Sequence, residues 1–111
     1  MTIELQNKTL EELRASLKEV DAMRYAKELS NAEREALELT AVALRDAERL
    51  AIAKMQKQFI KEMEAQTANL NAQAKAIRAR VTRMNKVSKV LDKVESVIKT
   101  AVKIVAAIAK W

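Results

Sequence analysis

Leu10, Leu13, Leu17 and Val20 recur at steps of three, four and three residues. That spacing draws one apolar stripe along a helix of about 3.6 residues per turn. Thr9, with Glu12 three residues on, has the pattern of a capping box, in which each side chain accepts from the other's backbone N–H. A helix is therefore expected over about 9–29. The stripe loosens at Met23, Arg24, Tyr25 and Ala26. Ser30 with Glu33 then repeats the capping-box pattern and marks a boundary near 29–31.

A second helix is expected from about 32 to 66. Leu37, Leu44, Ala47, Ala51, Met55, Phe59 and Met63 form one apolar flank, and Leu39, Val42, Ala43, Leu50, Ala53 and Ile60 form another. A helix with two apolar flanks packs between two neighbours. Its many alanines let those neighbours come close.

From Met63 the pattern is a heptad. Met63, Leu70, Ile77, Met84, Leu91, Ile98 and Val105 stand seven residues apart. The companion row starts as Ala74 and Val81, then shifts by one residue after Met84 to Val87, Val94, Ala101 and Ile108. A sustained heptad points to left-handed helix-on-helix packing. The predicted packing interface is Met63, Leu70, Ile77, Met84, Leu91, Val94, Ile98, Val105 and Ile108. Thr67, Asn69 and Asn71 suit a turn, yet the row passes through Leu70 without a phase change. The third helix, about 69–110, is thus expected to continue from the second or to turn near 67–71. One continuous rod of about 80 residues would be about 120 Å long at about 1.5 Å per residue.

Composition narrows the class. The chain has 111 residues, enough for one domain, and no Gly, Pro, Cys or His. Helices need none of these residues, while tight hairpins depend on residues that tolerate positive φ. The expected fold is all-α, with two or three long helices in an antiparallel bundle or coiled coil, as one helical domain over 1–111. The same absences remove the usual zinc ligand sets, Cys nucleophiles, Ser-His pairs and Gly-rich phosphate loops. Glu11/Glu12, Glu33/Glu35 and Glu62/Glu64 are neighbours in sequence but point to different helix faces, so they are solvated charges and not acid–base pairs. No enzymatic activity, cofactor, metal or small-molecule substrate is expected.

Charge is uneven. Residues 1–64 carry a net −2, while residues 65–111 carry ten Lys/Arg against Asp92 and Glu95, for the total of +6. That asymmetry calls for an anionic partner or for association of unlike segments. Lys75, Arg78, Arg80, Arg83, Lys86, Lys89 and Lys93 form the candidate anionic-partner face. Nucleic acid is a weaker candidate, because no aromatic side chain is interleaved for base stacking.

The segment "SVIKTAVKIVAAIAKW" resembles cationic amphipathic peptides that act on bilayers. The resemblance implies membrane contact by Lys99, Lys103, Lys110 and Trp111, with the apolar arc turned to lipid. The competing reading buries that arc in protein.

The chain holds no basic, apolar leader and no run of 18 apolar residues. A cytoplasmic location is the default, with signal-independent export left open. The reading that follows is a structural or protein-interaction module that self-associates through its heptad row, with a homo-oligomer or another helical protein as partner. A membrane-surface role is the alternative, and nucleic-acid binding through residues 75–93 is the second alternative.

Overall fold

The computed structural model describes residues 2–57 and 67–111. Four helices hold almost all of them: α1 (Ile3–Met23), α2 (Asn31–Lys57), α3 (Thr67–Ser88) and α4 (Glu95–Lys110), with no strand among the described residues. Among the described residues the architecture is therefore all-α, as composition dictates, but it is four helices packed together, not two or three, and not a coiled coil specifically. Met63, Phe59 and Ile60 lie outside the described residues.

α1 begins earlier than its sequence signals suggest. Thr2 is the N-cap, its hydroxyl accepting from the Leu5 N–H at 3.3 Å. Thr9 instead lies inside the helix, where its hydroxyl donates to the Leu5 carbonyl at 2.9 Å. The helix ends at Met23, where the apolar stripe loosens.

At the second boundary the capping box forms in full. The Ser30 N–H donates to Glu33 Oε1 at 2.9 Å, and the Glu33 N–H donates to Ser30 Oγ at 3.2 Å. Two otherwise unpaired donors at a helix start are satisfied this way.

α2 and α3 are separate helices packed on each other, so the 120 Å rod is excluded. The longest dimension is 49 Å. Residues 67–71, left open between a turn and a continuous helix, are the first turn of α3.

The break comes later, at 89–94, inside the expected third helix. Val90 N–H donates to the Val87 carbonyl and Val94 N–H to the Leu91 carbonyl, each at 3.2 Å, so three-residue turns replace the helical ladder. The heptad persists across this reversal because each helix of the α3/α4 hairpin aims one apolar row at the shared core. Equal spacing on the two sides records burial on both, not a continuous helix. The one-residue shift of the companion row after Met84 was the local sign of the break.

Ion pairs and contacts fix the layout. Arg14 pairs with Glu48, Asp21 with Arg45, and Arg24 with Glu38, so α2 runs back along α1. Asp46 pairs with Arg80, while Arg78 reaches the Ala109 carbonyl, so α3 and α4 each reverse in turn. α2 and α4 meet across the bundle, and α1 and α3 form its two outer edges.

α2 fits this central place because Ala36, Ala41, Ala43, Ala47 and Ala51 are buried and leave little side chain between the axes. α4 supplies the bulk: Val97, Ile98, Val102, Ile104, Val105 and Ile108 are all buried. Each such side chain gains roughly 1.5–3 kcal/mol from full burial. That exceeds the few tenths of a kcal/mol by which Val and Ile trail Ala in helix propensity.

Candidate functional site

Packing consumes most of the predicted interface. Leu70, Ile77, Met84, Val94, Ile98, Val105 and Ile108 are buried in the chain's own core. Leu91 differs: it sits in the 89–94 link and is half-buried against that core.

The outer side of α3 has another character. Its buried row is Leu70, Ala74, Ile77, Met84 and Ser88. Turning away from that row are Lys75, Arg78, Arg83 and Lys86, all exposed, and the helix contains no acidic residue. At about 1.5 Å per residue, Lys75 and Lys86 are about 16 Å apart along the axis. Lys89 and Lys93 follow in the link, both exposed.

These seven basic residues are not equivalent. Arg80 is half-buried and pairs with Asp46 of α2, which withdraws it from the face. Arg78 donates to the Ala109 carbonyl at 3.4 Å. Lys93 lies near enough to Glu33 to favour that carboxylate. Lys75, Arg83, Lys86 and Lys89 form no ion pair among the described residues.

On α4, Lys99 pairs with Glu95 one turn before it. Lys103 and Lys110 are exposed on the helix's solvent side. Lys103 also lines a shallow groove between α1 and α4 whose rim carries Glu12 and Glu19. Trp111 is half-buried against the core, with its Nε1 atom buried and unpartnered. The apolar arc of α4, for which burial in protein and contact with lipid were the competing readings, is covered by the chain itself. Of the candidate membrane contacts, the three lysines are exposed, and Trp111 lines an open groove with Lys103, Ala106, Ala107 and Lys110.

One group of functional charges was missed in the sequence. Lys54, on α2, donates from Nζ to the main-chain oxygens of Ile108, Ala109 and Trp111 at 3.1–3.2 Å. With Arg78 it places two cations at the C-terminal end of α4, where helix carbonyls lack intrahelical partners and the dipole is negative. Nothing local in "AIAKMQK" announces this, since its target lies 54 residues away.

Among the described residues, Glu33 is a titrating group clearly displaced. Its carboxyl is held below the usual glutamate range, first by the Ser30 backbone N–H and then by the Ser30 side chain, with a smaller attraction from Lys93; desolvation opposes these. This is a capping role, since both leading causes are hydrogen bonds within the Ser30–Glu33 box.

No family model matches the chain, and no curated protein and no solved structure matches it either. The site is therefore argued from its geometry. No described helix is long and apolar enough to cross a membrane.

Proposed function

We propose that this protein is a non-enzymatic interaction module, a four-helix bundle that offers the solvent faces of α3 and α4 to a polyanionic partner. The observation that carries the reading is the run of exposed cations Lys75, Arg83 and Lys86 on a helix without acids, continued by Lys89 just past its end, none of them in an ion pair among the described residues. Four like charges held together repel one another, and an anionic partner relieves that repulsion. Screening limits the attraction to about 10 Å at about 0.1 M salt, so binding is close-range and salt-sensitive.

The test is a salt series with heparin and with short single-stranded DNA. Binding should weaken steadily with salt, and Lys75→Glu/Lys86→Glu should abolish it at moderate salt while the helical signal is unchanged. Equal binding by that double variant would place the site elsewhere.

A second reading is self-association. It rests on the opposite edges of the bundle: α1 exposes Glu4, Glu11, Glu12 and Glu19 without ion pairs among the described residues, and the exposed charges of α3 are all cations. A second copy could bring its α1 edge to this α3 edge. Such contact would be head-to-tail, which forms rings or filaments. Light scattering at low and moderate salt tests it. A monomer at both salt concentrations would remove this reading and leave the first intact.

A further inference from the structure

The antiparallel order brings the links 24–30 and 89–94 to the same end of the bundle. Val90 and Leu91 line one open groove with Ala32 and Glu35, which directly follow the first link. That end holds the two most exposed large hydrophobic side chains described, Tyr25 at 83% and Val90 at 77%. Single exposed apolar residues are ordinary on any surface. Here two share one end, where the exposed cations Lys27, Lys86, Lys89 and Lys93 stand against the exposed acids Glu28, Glu35 and Asp92.

We infer that this end docks on an anionic lipid surface, with Val90 and Tyr25 entering the headgroup layer and Lys86, Lys89 and Lys93 meeting lipid anions. The inference rests on the basic-face reading and names its partner class. Three features favour lipid over nucleic acid. First, a valine gains nothing against a phosphate backbone but gains by leaving water for the acyl boundary. Tyrosine suits the same layer, with an apolar ring and a polar tip. Second, the links bond their own backbone. Tyr25 N–H donates to Ala22, Ala26 to Met23, Val90 to Val87 and Val94 to Leu91. Backbone N–H groups left unpaired are costly in a lipid environment, and these four are already satisfied. Third, in the same link as Val90, Val94 is fully buried and Leu91 is half-buried against the core. The apolar tip therefore stands on packed structure and loses little freedom when it docks.

The geometry also reverses the direction of membrane contact expected from the sequence. α4 keeps its apolar arc in the core, so lipid is met by the end of the bundle far from Trp111, without unfolding.

The test uses the full chain with phosphatidylcholine vesicles, with and without phosphatidylserine, followed by co-sedimentation. Heparin and single-stranded DNA binding are measured in parallel. The wild type should bind only the vesicles containing phosphatidylserine. Tyr25→Ser/Val90→Ser, which removes the apolar side chains without adding charge, should lower that affinity by at least ~10-fold, or more than about 1.4 kcal/mol, with circular dichroism and heparin binding unchanged. Lys86→Glu/Lys89→Glu should weaken vesicles and heparin together. Vesicle binding that ignores the Tyr25/Val90 change overturns the insertion. Binding of heparin or DNA without binding of vesicles also overturns the lipid inference, while leaving the basic-face reading in place. Binding to none of the three overturns both.

Discussion

The α1/α2 and α3/α4 hairpins share an architecture but are finished differently. The first is laced with surface ion pairs: Arg14–Glu48, Arg24–Asp21, Arg24–Glu38, Arg45–Asp21 and Arg49–Asp46. Its helices also carry side-chain caps, from Thr2 and from the Ser30–Glu33 box. The second has one ion pair of its own among the described residues, Lys99–Glu95. α4 has Val94 as its N-cap, which offers no side-chain cap. It is held instead by its apolar face and by Lys54 and Arg78 at its far end. Exposed ion pairs are each worth about 0–1 kcal/mol, far less than a buried Ile. The α1/α2 surface is therefore richer in ion pairs but only weakly stabilised by them. The α3/α4 hairpin is strongly packed and leaves its cations open to a partner.

The largest test of this contrast is in the core. Ile98→Ala should cost about 2–5 kcal/mol in urea unfolding, since Ile98 is fully buried where α4 meets the other helices. Ile98→Asp should abolish cooperative unfolding. Leu91→Ala, in the half-buried link, should cost clearly less. Equal losses at 91 and 98 would restore a continuous seam and contradict the break at 89–94.

Next comes the clamp on α4. Lys54→Met keeps the side-chain bulk but removes three donated hydrogen bonds. A loss of about 1–3 kcal/mol is expected, as for hydrogen bonds from a charged donor. Faster amide exchange near residues 106–111, with α1 unaffected, would show that the loss is local.

The capping box should give a smaller effect with a pH signature. Ser30→Ala should cost about 1 kcal/mol. Glu33 is held below its unfolded value, so its stabilisation is complete above that value and is lost as pH falls through the folded one. The window opens near the ordinary glutamate value of about 4.3 and extends below it. Glu33→Gln should flatten that part of the acid stability curve. A curve of unchanged shape would assign the acid sensitivity to other carboxylates.

The smallest stability change belongs to the open face. Lys75→Glu/Lys86→Glu should shift stability by no more than about 0.5 kcal/mol, because neither residue is buried or paired. The same change should remove polyanion binding. A large loss of stability would mean that these lysines hold the bundle together.

Composition and periodicity alone determined a good deal. A chain without Gly or Pro, with stripes at 3-4 spacing, has helices as its only economical backbone solution. The Ser30–Glu33 box was legible because both partners lie within one helical turn. Most of the buried row, from Leu70 to Ile108, was legible because apolar periodicity reports which side of a helix leaves water. What periodicity does not carry is the identity of the covering surface. Leu70 to Val105 reads the same as a seam between chains and as two core-facing rows of one hairpin. Only the tertiary structure separated them, by reversing the chain at 89–94 and covering α4 with α1, α2 and α3. It likewise decided that Arg80 is paired, that Lys54 caps a helix 54 residues away, and that Tyr25 and Val90 share one end. Those facts depend on contacts between residues distant in the chain, and no local pattern encodes them.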